Sequence, residues 1–121
     1  MSRSEQGQPS ASSDGILQNA TEKLEASLEA LMDIETHYAE KRRVMAHTDH
    51  ALRIKRAVSF KLAEGTADYR KAVAEVESDA EMQAHFIADA ESDIAFAKLL
   101  DARLVASCQQ SILSAESKRA Y

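Results

Sequence analysis

The sequence predicts an all-α protein, a long helical hairpin in which two long helices pack antiparallel, as in a coiled coil, and associate with further copies. Three observations predict it. Ala, Leu, Glu, Lys and Arg dominate the 121 residues, which contain one proline and three glycines, a composition typical of long helices. Apolar residues recur every seven positions in the first half. One glycine divides the helical pattern near the middle, where a second helix can fold back.

The first fifteen residues are expected to form a disordered arm. They contain the only proline, two of the three glycines and five serines, and they have no apolar repeat. At this length the remainder is enough for one domain and not for two. The predicted organisation is therefore a disordered arm at 1–15 and a helical hairpin domain at 16–121.

The first long helix is predicted from Ile16 to Leu62 by its heptad repeat. One heptad position is apolar throughout, at Leu17, Leu24, Leu31, Tyr38, Met45 and Leu52. The companion position is apolar only in the first half, at Ala20, Leu28 and Ile34. A seam that narrows in this way favours a hairpin, because a second helix can supply the missing apolar surface.

Gly65 and Thr66 are predicted to form the turn between helices. Glycine is the usual residue just beyond a helix C-terminus, where the backbone adopts positive φ. Threonine is a favoured N-cap, because its hydroxyl accepts a hydrogen bond from a free backbone N–H of the next helix. The pattern therefore ends the first helix before Gly65 and begins another at Ala67.

A second break is predicted at Ser78. Ser78 is followed three residues later by Glu81, the spacing of a capping box at a helix N-terminus. The sequence therefore predicts a short connecting helix, Ala67–Glu77, and a long final helix from Asp79 to Arg119. The pattern is also compatible with a segment 67–77 that continues its neighbours.

The final helix is predicted to have two apolar faces. The face assigned to the core follows three- and four-residue steps through Phe86, Ala90, Ala97, Leu100, Leu104, Cys108, Ser111 and Ala115. A second set lies partly off that face, at Ile87, Ile94, Leu99, Val105 and Ile112. One partner helix cannot cover so wide a stripe, so one face is expected to contact the first helix and the other a second chain. The predicted core and oligomer seam thus combines the first-helix heptad with Phe86, Ala97, Leu100 and Leu104.

The middle of the chain is basic although the whole chain has a formal net charge of −5. The segment from 41 to 71 contains nine basic and three acidic residues, which gives it a local net charge of +6. These candidate anion-binding residues are Lys41, Arg42, Arg43, Arg53, Lys55, Arg56, Lys61, Arg70 and Lys71. A basic region of this kind either binds phosphates or an acidic partner, or pairs with acids of the final helix such as Asp89, Glu91, Asp93 and Asp101.

The sequence contains no motif that predicts an enzyme, a metal site or a cofactor site. His47 and His50 are three residues apart, and Glu81 and His85 four apart, but neither pair brings the further ligands that a metal site needs. Phosphate-binding glycine loops and nucleophile elbows are also missing. The single cysteine, Cys108, fits a reducing compartment, and no stretch is apolar enough to span a membrane, so a cytoplasmic protein is expected.

The stretch LAEGTADYRKA at Leu62–Ala72, with FAKLLDARL and SCQQSILSAESKR after it, resembles small helical proteins of unknown activity encoded by phages and prophages near recombination genes. The resemblance covers residues 24–119 and implies an accessory protein in the host cytoplasm that acts by binding. Two hypotheses follow. In one, the chain is a self-associating module that binds a protein partner as an inhibitor or adaptor. In the other, it binds nucleic acid through the basic 41–71 region.

Overall fold

The computed structural model describes residues 9–120 of the chain, and side-chain burial within it from 14 to 119. The described residues form three helices: α1 (Pro9–Leu62), α2 (Ala67–Glu77) and α3 (Asp79–Ala120). Two long helices are thus joined by a short one, and no β-strand occurs at 9–120. The all-α prediction and the predicted bounds of the connecting helix are confirmed.

The first helix begins earlier than the sequence pattern indicates. Positions 9–15 of the expected disordered arm are helical, while positions 1–8 lie outside the described residues. Pro9 is the first helical residue, where proline is favoured because its fixed φ suits the helix and its missing N–H would have no partner. Gly15 also lies inside α1, with nothing within 4 Å of the place that a Cβ would take.

The turn between α1 and α2 has the structure that its residues predict. Gly65 has φ of +116°, a conformation that side-chain-bearing residues rarely adopt. The Thr66 hydroxyl accepts a hydrogen bond from the Tyr69 backbone N–H at 3.2 Å, which caps α2. Both roles assigned to this dipeptide are confirmed.

The break between α2 and α3 falls at Ser78, as predicted, but its hydrogen bonds differ from those of a capping box. The Ser78 hydroxyl donates to the carbonyl oxygen of Glu75 at 3.3 Å, within α2. Its side chain is fully buried, and the Arg56 Nε donates to the same hydroxyl at 3.4 Å. Through these bonds Ser78 connects the end of α2 to Arg56 of α1, and it does not form the capping box with Glu81.

The described residues divide into two compact units. One, here called the terminal unit, contains residues up to Glu35 and from Lys98 onward; the other, the turn unit, contains Thr36–Ala97. Within the terminal unit the Arg103 guanidinium lies 3.9 Å from the Glu35 carboxylate. Side chains of α1 and α3 therefore meet in this unit.

Side-chain contacts join α1 to α3 within the turn unit. The rings of Tyr38 and Phe96 lie 5.6 Å apart between centroids, and the Lys41 ammonium is 2.9 Å from the Glu91 carboxylate. Further along, the Thr48 hydroxyl and His85 Nδ1 are 3.3 Å apart, and Arg56 Nη2 lies 3.3 Å from the Met82 sulfur. Side chains of α1 thus contact α3 along the whole of this unit.

The heptad residues of α1 face inward along the helix. Leu52 is buried, and the remaining members are half-buried, namely Leu17, Leu24, Leu31, Tyr38 and Met45. The companion position is held by Ala20, which is buried, and by half-buried Ser27, whereas Leu28 is exposed. The first-helix seam is therefore as predicted, except that a small polar residue takes the place assigned to Leu28.

The inward line of α3 differs from the predicted core face. The residues that turn toward α1 repeat at three- and four-residue steps and are buried at Ala88, Ser92, Ala95, Leu99 and Ala106. Phe86 is 63% and Leu104 is 62% exposed, and Ala97 and Leu100 are exposed as well. Their assignment to the core of the hairpin is wrong, because the buried side of α3 consists mainly of small side chains, and residues one or two positions away from it point in other directions around the helix.

Candidate interaction surface

Small side chains dominate the buried apolar residues of this chain. Between residues 14 and 119 these are five alanines and two leucines, Leu52 and Leu99. Large apolar side chains are exposed instead on all three helices, including Met32, Leu62, Val76, Phe86 and Ile94. Folded proteins bury their large apolar side chains first, and contiguous apolar surface left outside marks an interaction site.

Both long helices of the turn unit carry exposed apolar side chains. On α1, Val44, Ala51 and Val58 immediately precede the inward residues Met45, Leu52 and Ser59. Ile54 lies beside Ala51 and Val58 along a shared open groove. On α3, Ile87 and Ile94 are 61% and 59% exposed. We call this set the turn-unit flank: Val44, Ala51, Ile54, Val58, Ile87 and Ile94.

The terminal unit has a separate apolar groove between α1 and α3. Its volume is about 480 Å³. Ala26, Ala30 and Ile34 line it from α1, and Ala102 and Val105 line it from α3. Lys98 and Asp101 also line this groove, so it contains one positive and one negative side chain. Small residues on both helices leave this space open.

Three of the nine candidate anion-binding residues are paired with carboxylates. Lys41 bonds Glu91 of α3, as the internal-pairing alternative requires. The other two pair along α1 itself, Arg43 with Glu40 and Arg53 with Asp49, the latter at 3.1 Å. The hydrogen bond from the Arg43 guanidinium, with its positive charge, holds the pKa of Glu40 below its usual value. These three cations are thus largely neutralised within the chain.

Two further arginines serve the packing of α2. Arg56 is half-buried against Ser78 and Met82. Arg70 donates from Nε to the carbonyl oxygen of Phe60 at 3.0 Å and lies 4.3 Å from the centre of the Phe60 ring. A guanidinium over an aromatic face gains a favourable cation–π interaction. Both arginines therefore hold α2 to the end of α1.

The remaining four basic residues are exposed, and none has a carboxylate within salt-bridge distance in the part of the chain that the structure describes. They are Arg42, Lys55, Lys61 and Lys71. Lys55 lines the groove beside Ile54 and Val58, and Lys71 lines another between α1 and α2. The predicted basic region is thus reduced to a smaller set of cations available to an external anion.

The histidine pairs do not assemble a metal centre. His47 and His50 share a groove with Glu81, but over the described range no three His, Cys, Asp or Glu residues are placed to hold an ion together. His85 instead lies beside Thr48. Within the same range no helix is long and apolar enough to cross a membrane.

The small inward residues of α3 are the ones that sequence reasoning missed. Their signal is present in the chain as a heptad of Ala, Ser and Leu through 88, 92, 95, 99, 102 and 106. It was outweighed by the larger side chains at neighbouring positions, because a search for apolar periodicity gives alanine and serine little weight.

The fold and surface together define a small helical protein made of two long helices and a short connector, with many large apolar side chains exposed. The chain matches no protein-family model, no curated protein and no solved structure.

Proposed function

We propose that this protein is a non-enzymatic helical interaction module, which self-associates and binds a protein partner through its exposed apolar side chains. The observation that carries the proposal is the burial pattern of α3, in which alanines, serines and Leu99 lie inward while Phe86, Ile87 and Leu104 remain more than half exposed. Covering the exposed part of each of these side chains would release roughly 1–2 kcal/mol. Association therefore offers a gain that the single chain forgoes.

The module is proposed to be an antiparallel hairpin. The proposal is supported by the order of the contacts within the turn unit. Tyr38 contacts Phe96, Thr48 contacts His85 and Arg56 contacts Met82. Positions that rise along α1 meet positions that fall along α3, the order expected when two helices run in opposite directions.

The test is the molar mass in solution, measured by light scattering after size exclusion. The single chain has a mass of 13.3 kDa. We expect a mass at least twice that value, falling toward it on dilution. A mass of one chain at every concentration would contradict self-association.

A second candidate function is nucleic-acid binding by the turn unit. It is favoured by the exposed cations Lys55, Lys61 and Lys71, none of which forms an ion pair among the described residues. The resemblance to phage-encoded proteins near recombination genes points in the same direction. Phosphate binding by lysines releases counterions and weakens steeply with salt, so this function is expected at low ionic strength first.

Its test compares two triple variants with the same change in charge. Lys55→Glu/Lys61→Glu/Lys71→Glu removes the exposed cations of the turn unit, and Lys23→Glu/Lys98→Glu/Lys118→Glu makes an equal change in the terminal unit. If the turn unit binds nucleic acid, only the first variant loses retention of a single-stranded oligonucleotide at low salt. Equal loss in both variants would indicate a net-charge effect, and no binding by the unmodified protein would rule the candidate out.

A further inference from the structure

The two halves of the turn-unit flank lie on the same side of the hairpin. On α1 the flank residues Val44, Ala51 and Val58 each precede an inward residue, and on α3 Ile87 precedes the buried Ala88. When two facing helices run in opposite directions, residues that precede inward positions on each helix project to the same side. Since the direction is part of the proposed function, this step rests on it.

The flank has the extent that a dimer needs. Its five large side chains, Val44, Ile54, Val58, Ile87 and Ile94, are between 37% and 61% exposed. Covering their exposed parts in two copies would remove roughly 900 Å² of surface, close to the value of about 1,000 Å² at which a specific interface begins, before Ala51 and the intervening backbone are added. Unlike the groove of the terminal unit, the flank is built mainly from large branched side chains.

We propose that a second copy of this chain docks on the turn-unit flank, with the helices of the two copies forming a four-helix bundle. Isoleucine and valine from each copy then supply the large apolar core that the single hairpin lacks. Such a two-fold interface is self-complementary, because the same residues occur on both sides. The outward side of α3 at Phe86 stays free for a different protein partner.

Two neighbouring residues provide a matched test. Ile87 is 61% and Phe86 is 63% exposed on consecutive positions of α3, but only Ile87 belongs to the flank. We expect Ile87→Glu to raise the dimer dissociation constant at least about tenfold, since it places a charge in an apolar interface, and Phe86→Glu to leave it unchanged. Light scattering and sedimentation equilibrium measure both, with far-UV circular dichroism to follow the helices.

Ile87→Ala provides a variant that keeps the helix, because alanine has the highest helix propensity. It should weaken the dimer in the same direction without loss of helicity. A dimer that tolerates both Ile87 changes, or one that Phe86→Glu dissociates instead, overturns the proposed surface and leaves self-association standing. A monomeric unmodified protein overturns the proposed function as well.

Discussion

At the residue scale, Gly65 is the position whose backbone conformation requires glycine. Its φ is +116°, and a Cβ added there would lie 3.2 Å from Cδ1 of Tyr69. We expect Gly65→Ala to lower the free energy of unfolding by about 1–3 kcal/mol, because it forces a side chain into a strained conformation. Urea denaturation measures this. Gly15→Ala is the control: it lies in α1 with no neighbour at its Cβ and should stabilise by up to about 1 kcal/mol.

Thr66 is expected to contribute through its hydroxyl alone. It accepts the hydrogen bond of the Tyr69 N–H, which otherwise has no partner within the first turn of α2. Thr66→Ala should cost about 1 kcal/mol in the free energy of unfolding, whereas Thr66→Ser, which keeps the acceptor, should change it by no more than about a few tenths of a kcal/mol. Equal losses in the two variants, measured by the same denaturation experiment, would mean that the methyl group matters and the cap does not.

Arg70 and Phe60 are expected to stabilise the turn as a pair. The guanidinium both stacks on the ring and bonds the carbonyl oxygen of Phe60. In a double-mutant cycle built from Arg70→Gln and Phe60→Leu, we expect a coupling of about 0.5–1 kcal/mol from the ring contact. The backbone hydrogen bond survives Phe60→Leu, so it falls outside this coupling. Additive effects of the two changes would show that the ring contact adds nothing.

At the scale of the elements, the inward line of α3 is expected to reject large side chains. Ala95 is 2% exposed, whereas Ala97, two residues away on the same helix, is exposed. Ala95→Leu should reduce the free energy of unfolding by about 1–3 kcal/mol through overpacking. Ala97→Leu should change it by less than about 0.5 kcal/mol. If Ala97→Leu proved more destabilising than Ala95→Leu, Ala97 would belong to the core face, as the sequence pattern indicates.

The two long helices differ in how well their inward faces could be predicted. In α1 the heptad consists of large side chains from Leu17 to Leu52, and the residues that repeat are the ones that pack. In α3 the inward residues are small and the large ones lie outside, as at Leu104. The repeat of large side chains therefore predicted the inward face of α1 correctly. It misplaced the inward face of α3, where the buried residues are mainly small.

At the scale of the whole molecule, stability should depend on protein concentration. If folded chains associate and unfolded chains do not, mass action favours the folded form as concentration rises. We expect the thermal midpoint to increase over a roughly hundredfold range of concentration, as followed by circular dichroism. Ile87→Glu should remove most of this dependence and Phe86→Glu should keep it. A midpoint independent of concentration in the unmodified protein would argue for a folded monomer.

The basic region illustrates a limit that sequence reasoning meets at this scale. In the sequence, the nine basic residues between 41 and 71 form one basic region. The folded structure determines which groups lie next to each of them. Lys41 donates a hydrogen bond to Glu91, fifty residues away, and Arg56 donates one to the hydroxyl of Ser78. Only the packed chain distinguishes these from cations such as Lys61, which stay exposed.

The sequence by itself determined the helices and their breaks, because helix propensity, the positive φ required at Gly65 and the cap at Thr66 are local properties. It also determined the inward line of α1, which is encoded in a repeat of large side chains. The tertiary structure alone decided which side of α3 packs, which cations are neutralised and which apolar side chains remain outside. These depend on which side of each helix lies against the other, and in α3 that side consists mainly of alanines and serines, whose small side chains contribute little to the apolar pattern of the sequence.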